Sequence, residues 1–221
     1  MPPELAALQS AARALGLTST DAQLLQLVRY LDLLRHWNGT YNLTAVRDPM
    51  AMLSQHLVDC MAAVPAMQRW MGDRESARVL DVGSGGGLPG LVWAVLMPKL
   101  QVHCVDAVGK KAAFIRQAAG ELGLPVKAHH ARVESLSVPA FELITSRAFS
   151  SLADFTRLTR PQLSSDGVWL AMKGQRPDDE IEMVDPAIAS VFHVEPLAVP
   201  GLDAERCLVW LRGPRSTRPP E

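Results

Sequence analysis

The sequence predicts an α/β domain: a doubly wound sheet, mostly parallel with a closing antiparallel strand, preceded by an N-terminal helical extension. Three observations carry that class. Val79, Leu80 and Val82 form a short apolar run that leads into Gly83-Ser-Gly-Gly-Gly87 and then a helical pattern, Leu91–Met97. Strand, glycine turn, helix is how an α/β unit opens. Short apolar runs then alternate with helical patterns as far as residue 189, whereas residues 1–75 show helical periodicity alone. The expected division is a helical extension over 1–75, a core over 76–213 and a flexible tail over 214–221.

In chain order, residues 4–16 read as a helix with Leu5, Leu8, Ala12 and Leu15 on one face and Gly16 closing it. A second helix starts near Thr20, with Gln23 completing a capping box. Its stripe is Leu24, Leu27, Val28, Leu31 and Leu34, and it is expected to end in the polar loop His36–Thr44. Asp48-Pro49 opens a third helix, which Pro65 ends or kinks. His56 and Asp59 share one of its faces, a spacing that most often means a local hydrogen bond.

From residue 79 the expected strands are 79–82, 102–105, 126–129, 143–146 and 167–172. The expected helices are 91–97, 110–122, 151–163 and, in part, 178–189, with 191–198 and 207–211 pairing as an antiparallel hairpin. Right-handed crossovers then bring Gly83, Asp106, Val133, Glu134 and Arg147 to the carboxyl ends of strands, where such sheets bind ligands.

Composition narrows the class. The chain has 221 residues, 48% hydrophobic and 20% charged, as in ordinary globular enzymes. A net charge of −1 does not by itself announce a nucleic-acid binder. No apolar run approaches the ~20 residues that span a bilayer, and Met-Pro-Pro-Glu is no signal sequence, so a cytoplasmic protein without membrane attachment is expected. Cys60, Cys104 and Cys207 are odd in number and far apart, which suits buried reduced thiols and no metal site.

The glycine turn decides the ligand. Gly85-x-Gly87-x-x-Gly90 matches a dinucleotide fingerprint, a weak pattern alone. Asp81, two residues before Gly83, can accept hydrogen bonds from a cationic amine, and Gly83, Gly85 and Gly87 all lie in the turn. Asp-x-Gly-x-Gly-x-Gly resembles motif I of class I (Rossmann-like) S-adenosylmethionine (SAM) methyltransferases, with S-adenosylhomocysteine as the product. Asp106, 23 residues after Gly83, stands where an acid reaches ribose hydroxyls, and it could equally cap the next helix. A glycine turn that binds nothing is the plain alternative.

Five segments together resemble a narrower family: His36-Trp-Asn-Gly-Thr-Tyr-Asn-Leu-Thr44, His56-Leu-Val-Asp59, the motif Leu80–Gly90, Ser146-Arg-Ala-Phe149 and Met172-Lys-Gly174. Order and spacing are similar to those of the RsmG (GidB) family of bacterial small-subunit rRNA methyltransferases, over roughly residues 20–212. The resemblance implies methyl transfer from SAM to N7 of a guanine in the decoding-region 530 loop of 16S rRNA, position 527 in the usual rRNA numbering. It implies SAM contacts at Gly83, Leu88, Val133, Glu134 and Arg147. Asp81, Gly85, Gly87 and Asp106 join that set from the motif itself.

Guanine N7 carries a lone pair and no proton, so its methylation needs alignment and electrostatics rather than a general base. Arg147, Asn38 and His56 are the candidate positioning residues. Asn42, Arg132 and Lys173 are candidates for holding RNA. The partner is 16S rRNA or the small subunit, with no stable protein partner implied. Rival classes are a SAM methyltransferase for a small molecule or protein, and a nucleotide-binding module without catalysis.

Overall fold

The computed structural model describes residues 2–147 and 149–214. The expected tail, from residue 215 on, lies outside the described residues. The strands are β1 (Ala77–Val82), β2 (Leu100–Asp106), β3 (Lys127–His130), β4 (Phe141–Ser146), β5 (Leu163–Lys173), β6 (Ser190–Pro196) and β7 (Cys207–Arg212). They form one sheet in the order β3-β2-β1-β4-β5-β7-β6. β1 to β5 pair in parallel, and β7 runs antiparallel between β5 and β6. The order reverses between β1 and β4, so the crevice at their carboxyl ends is where a doubly wound sheet takes its ligand.

Side chains alternate between the two faces of the sheet, so each face builds its own core. Val79, Val102, Cys104, Leu143, Leu170 and Trp210 pack with the N-terminal helices. Leu80, Val105, Ile144, Trp169 and Val209 pack with Phe155 on the other side. The N-terminal helices α1 (Pro3–Ala14), α2 (Asp21–Tyr41) and α5 (Val64–Met71) therefore share one hydrophobic cluster with the sheet, together with α6 (Gly90–Leu96) and α7 (Gly109–Glu121).

Three boundaries differ from the sequence expectation. Helix α2 does not stop at His36. It continues to Tyr41 and closes at Asn42, which adopts the left-handed conformation with φ 50°. Trp37 and Tyr41, one turn apart, pack as tilted rings with centroids at 5.0 Å, and Trp37 also meets Phe114 at 5.5 Å. The expected break at Pro65 does form: the helix opened by Asp48 ends at Ala62, and Pro65 sits in the first turn of α5, which starts at Val64. Helix α8 (Leu152–Thr159) stops short of Leu163 because Pro161 follows, and β5 begins at Leu163, opposite Phe141. The helix expected over 178–189 shrinks to α9 (Asp178–Glu182).

The helix opened by Asp48, whose carboxylate accepts from Ala51 N at 2.7 Å, runs as α3 (Pro49–Met52), a π-helical stretch (Leu53–Val58) and α4 (Asp59–Ala62). One widened turn re-aims the side chains after it. Helix α2 also reaches the glycine turn directly. The Tyr30 hydroxyl, fully buried, donates to the Gly86 carbonyl at 2.6 Å. Tyr30→Phe keeps the ring and leaves that carbonyl unpaired. The expected cost is about 1 kcal/mol, a fall of roughly 2–4 °C in melting temperature with unchanged circular dichroism. An unchanged melting temperature would show that the bond holds nothing.

Candidate active site

The glycine turn is set by backbone conformation. Gly83, Gly85 and Gly87 have φ of 66°, 58° and 84°, which a side chain would strain. Their surroundings then divide them. A Cβ on Gly83 would meet nothing within 4 Å, and one on Gly85 would meet only Gly83 O at 4.0 Å. A Cβ on Gly87 would lie 2.5 Å from Leu91 Cδ1, and one on Gly90 2.6 Å from Cys104 Sγ. Gly83 and Gly85 therefore face open space, while Gly87 and Gly90 are packing positions. Gly87, expected at the cofactor, belongs to the packing group, and so does Leu88, which is buried in the core.

Two aspartates tie the turn down. Asp106 accepts from Gly85 N at 2.9 Å and from Val108 N at 2.8 Å. A carboxylate offers about four lone-pair sites, so it keeps acceptor capacity towards a ligand. Asp81 is fully buried and accepts from Gly90 N at 2.9 Å. Among the described residues its other oxygen has no partner, and neither does the buried Ser146 hydroxyl at the end of the adjacent β4. Burial raises the Asp81 carboxyl to about 7, against the pull of the Gly90 amide and Arg147.

Beside the turn lies a cavity of about 180 Å³ lined by Gly83, Asp106, Arg132, Val133, Glu134 and Phe149. The ends of β1 and β2 thus meet the loop after β3, as expected. The open glycine backbone, the free lone pairs of Asp106 and the unpaired Asp81 oxygen fit an adenosyl group with an amino-acid tail.

A larger cavity, about 410 Å³, opens on the other side of the switch point, lined among others by His56, Asp59, Arg147, Lys173, Gly174 and Arg206. Asp59, 4% exposed, is held by two arginines: Arg206 Nε at 2.8 Å and Arg147 NH1 at 3.4 Å. Arg147 also donates to Gln55 O at 2.9 Å and to His56 Nδ1 at 3.4 Å. His56 Nε2 lies 2.8 Å from the Thr44 hydroxyl. A guanidinium has no acceptor, so Nδ1 accepts and the proton sits on Nε2, bonded to Thr44. Burial, reinforced by the Arg147 charge, lowers His56 from 6.5 to about 4. The expected local bond between His56 and Asp59 does not form; both side chains converge on Arg147 instead.

The remaining expected residues fall elsewhere. Asn38 does not line either cavity. It is buried in α2, its carbonyl accepting from Thr44 N at 2.9 Å and its amide donating to Val46 O at 3.3 Å. It fixes the loop that presents Thr44 to His56. Asn42 is exposed, accepting from Arg47 at 2.9 Å. Lys173 lines the larger cavity but pairs with Glu180 at 2.8 Å, and Glu180 also caps Leu152 N. Sequence reasoning missed Arg206 and Tyr30. Arg206 precedes a strand in a connection without periodicity. Tyr30 does fall on the α2 stripe, three residues after Leu27, and that spacing could have marked it.

With this geometry in place, comparison with known proteins is informative. A family model described as rRNA small subunit methyltransferase G matches residues 23–209. A relative named ribosomal RNA small subunit methyltransferase G, from Acidovorax sp. (strain JS42), is 56% identical, covering 93% of this chain and 94% of its own. A second of that name, from Leptothrix cholodnii, is 55% identical over 98% of both chains. Among solved structures, the N-methyltransferase NodS from Bradyrhizobium japonicum WM9, in complex with S-adenosyl-L-homocysteine, superposes with a TM-score of 0.55. It is 14% identical and covers 84% of this chain and 98% of its own. That likeness shows a class I methyltransferase fold.

The lowered His56 makes a prediction with a definite sign. Unfolded histidine binds a proton below about 6.5 while the folded one resists it down to about 4. Its contribution to stability is complete above that window and lost as pH falls through it. Asp81 titrates in the same window with the opposite sign, so the test is a difference. The melting-temperature gap between wild type and His56→Gln should shrink from pH 7 to pH 4. A gap independent of pH would refute a neutral, buried His56.

Proposed function

The chain belongs to the rRNA small subunit methyltransferase G family, and we propose that it transfers a methyl group from SAM to N7 of a guanine in the 530 loop of 16S rRNA. One observation supports N7 above other base atoms. Every titratable side chain facing the larger cavity is already committed. Among the described residues lining it, Asp59 is shared between Arg147 and Arg206, Lys173 is paired with Glu180, the Cys207 thiol donates to Gln175 O at 3.6 Å, and His56 has its lone pair on Arg147 and its proton on Thr44. No group there is free to take a proton. Methylation of an exocyclic amine or a hydroxyl releases a proton, whereas N7 attacks with its own lone pair.

SAM, when bound, supplies the methyl group from a sulfonium centre. Gly83 and Gly85 present their open backbone to it. Asp106 would offer its remaining lone pairs to ribose hydroxyls, and Val133 and Glu134, which line the same pocket, would help hold the cofactor. Arg147 and Arg206 carry two positive charges against the single charge of Asp59, so the larger cavity is electropositive. An arginine there holds guanine O6 while N7 stays free, or steadies the flanking phosphate. His56 and Asp59 fix the guanidinium of Arg147, and such positioning is what alignment-controlled transfer requires. The partner is the small subunit or its free rRNA, in the cytoplasm.

The test is mapping of N7-methylguanine in 16S rRNA from a strain lacking this chain, before and after complementation. The modification should vanish and return. Complementation with Arg147→Gln should restore none of it, with transfer in vitro falling ~10²-fold or more. Label from SAM that enters protein or small molecules rather than RNA would reject the reading.

A further inference from the structure

Outside both cavities, the edge of the sheet carries an arginine-rich aromatic surface that nothing above uses. Helix α5 and the last two strands enclose an open hollow of about 440 Å³ lined by Arg69, Trp70, Phe192, His193, Glu195 and Trp210. Phe192 is 46% exposed, among the most exposed large apolar side chains of the described residues. The Arg212 guanidinium lies over its ring at 5.3 Å, and the Arg74 guanidinium lies over Trp70 at 5.1 Å. Among the described residues, the one acid lining the hollow, Glu195, is spent: one oxygen accepts from Trp210 Nε1 at 2.9 Å, the other from Arg69 at 2.5 Å.

We infer that this surface is a second RNA-contact site, which stacks unpaired bases of the rRNA substrate and holds their phosphates away from the methylated nucleotide. Two arguments select RNA. Arginine laid on an exposed aromatic ring, beside further cations, matches the alternation of base and phosphate in a single strand. The net charge of the whole chain is −1, and although Asp73 and Glu75 flank Arg74, the Arg212 guanidinium over Phe192 has no carboxylate partner among the described residues, so a free cation stands at the exposed ring. The surface is also continuous with the substrate cavity. Strand β6 runs from Phe192 in the hollow to its end at Pro196, and the next residue, Leu197, lines the cavity together with Arg206. Five residues of strand span roughly 17 Å, a distance that RNA flanking the target base can cover. Because a chain nearly neutral overall gains little affinity from general attraction, a local stacking site of this kind supplies grip.

The inference rests on the family's RNA substrate, and the experiment keeps the two apart. Purified wild type, Phe192→Ala/Arg212→Ala and Phe192→Trp are compared for melting temperature, SAM affinity, and kcat and KM on free 16S rRNA and on isolated small subunits. Wild-type transfer to RNA tests the assigned reaction alone. The double variant should melt and bind SAM like wild type, keep kcat, and raise KM ~10-fold or more on both substrates. Its log KM should also depend less steeply on log salt, by about one unit of slope for the one arginine removed. Phe192→Trp, which keeps a stacking face, should stay near wild type. An unchanged KM on both substrates overturns the inference. A KM raised only on assembled subunits overturns it too, since the partner would then be a ribosomal protein. So does a wild-type dimer that the double variant dissociates, which would give the face to a second copy.

Discussion

The Asp59 carboxylate is the fixed point around which the larger cavity is built. It is 4% exposed, and a carboxylate that deep must be paired. Its two partners come from far apart in the chain: Arg147 follows β4, and Arg206 precedes β7. One buried charge therefore pins the helix of residues 49–62, the end of a parallel strand and the entrance to the closing strand around a single cavity. Losing one partner of a buried pair typically costs about 3–5 kcal/mol, because the survivor is left uncompensated. Here each arginine insures against the loss of the other, which lets a site made of loop ends hold its shape.

The same logic explains why the N-terminal helices cannot be regarded as an appendage. Tyr30 bonds the glycine turn, Gln23 reaches Val95 O at 2.8 Å, and Trp93 donates to Cys60 O at 3.0 Å. His56, Asp59 and Thr44 all come from residues 1–75, whereas Gly83, Asp106 and Arg147 come from the sheet. The smaller cavity is built from the sheet ends and the glycine turn, which α2 braces. The larger cavity exists only where helices and sheet meet.

Much of this was legible in the sequence because burial on both faces of a parallel sheet leaves continuous apolar runs. β1, β2 and β4 announced themselves, and with them the glycine turn and the position of Asp106. Elements whose limits depend on tertiary pairing were not legible. β5 starts early because Leu163 finds Phe141 across the sheet, and no local pattern records that. Trp-Asn-Gly reads as a turn, yet α2 runs through it, since packing of Trp37 on Phe114 outweighs a mid-helix glycine penalty of ~1 kcal/mol. Asn38 then looks like an active-site donor by type and neighbourhood. Only its contacts reveal that backbone groups consume both ends of its amide.

Electrostatics separates the two cavities by more than position. Asp81 lies beneath the turn, fully buried, with its carboxyl raised by burial to about 7, and Arg147 acts on it from the larger cavity. Asp81 is held by one amide, that of Gly90, which must be glycine because a Cβ would stand 3.0 Å from the carboxylate and 2.6 Å from Cys104. Among the described residues its second oxygen has no partner, so the acid is left under-satisfied. A cationic group arriving at the turn lowers the cost of that charge, and so does Arg147. Their effects on Asp81 add, while their effects on each other are repulsive. Asp59, bonded to both arginines, offsets part of that repulsion by neutralising one of their two positive charges. Under the proposed reaction the two acids divide the work: Asp81 would meet the positive charge of the donor, and Asp59 holds the arginines that would face the RNA.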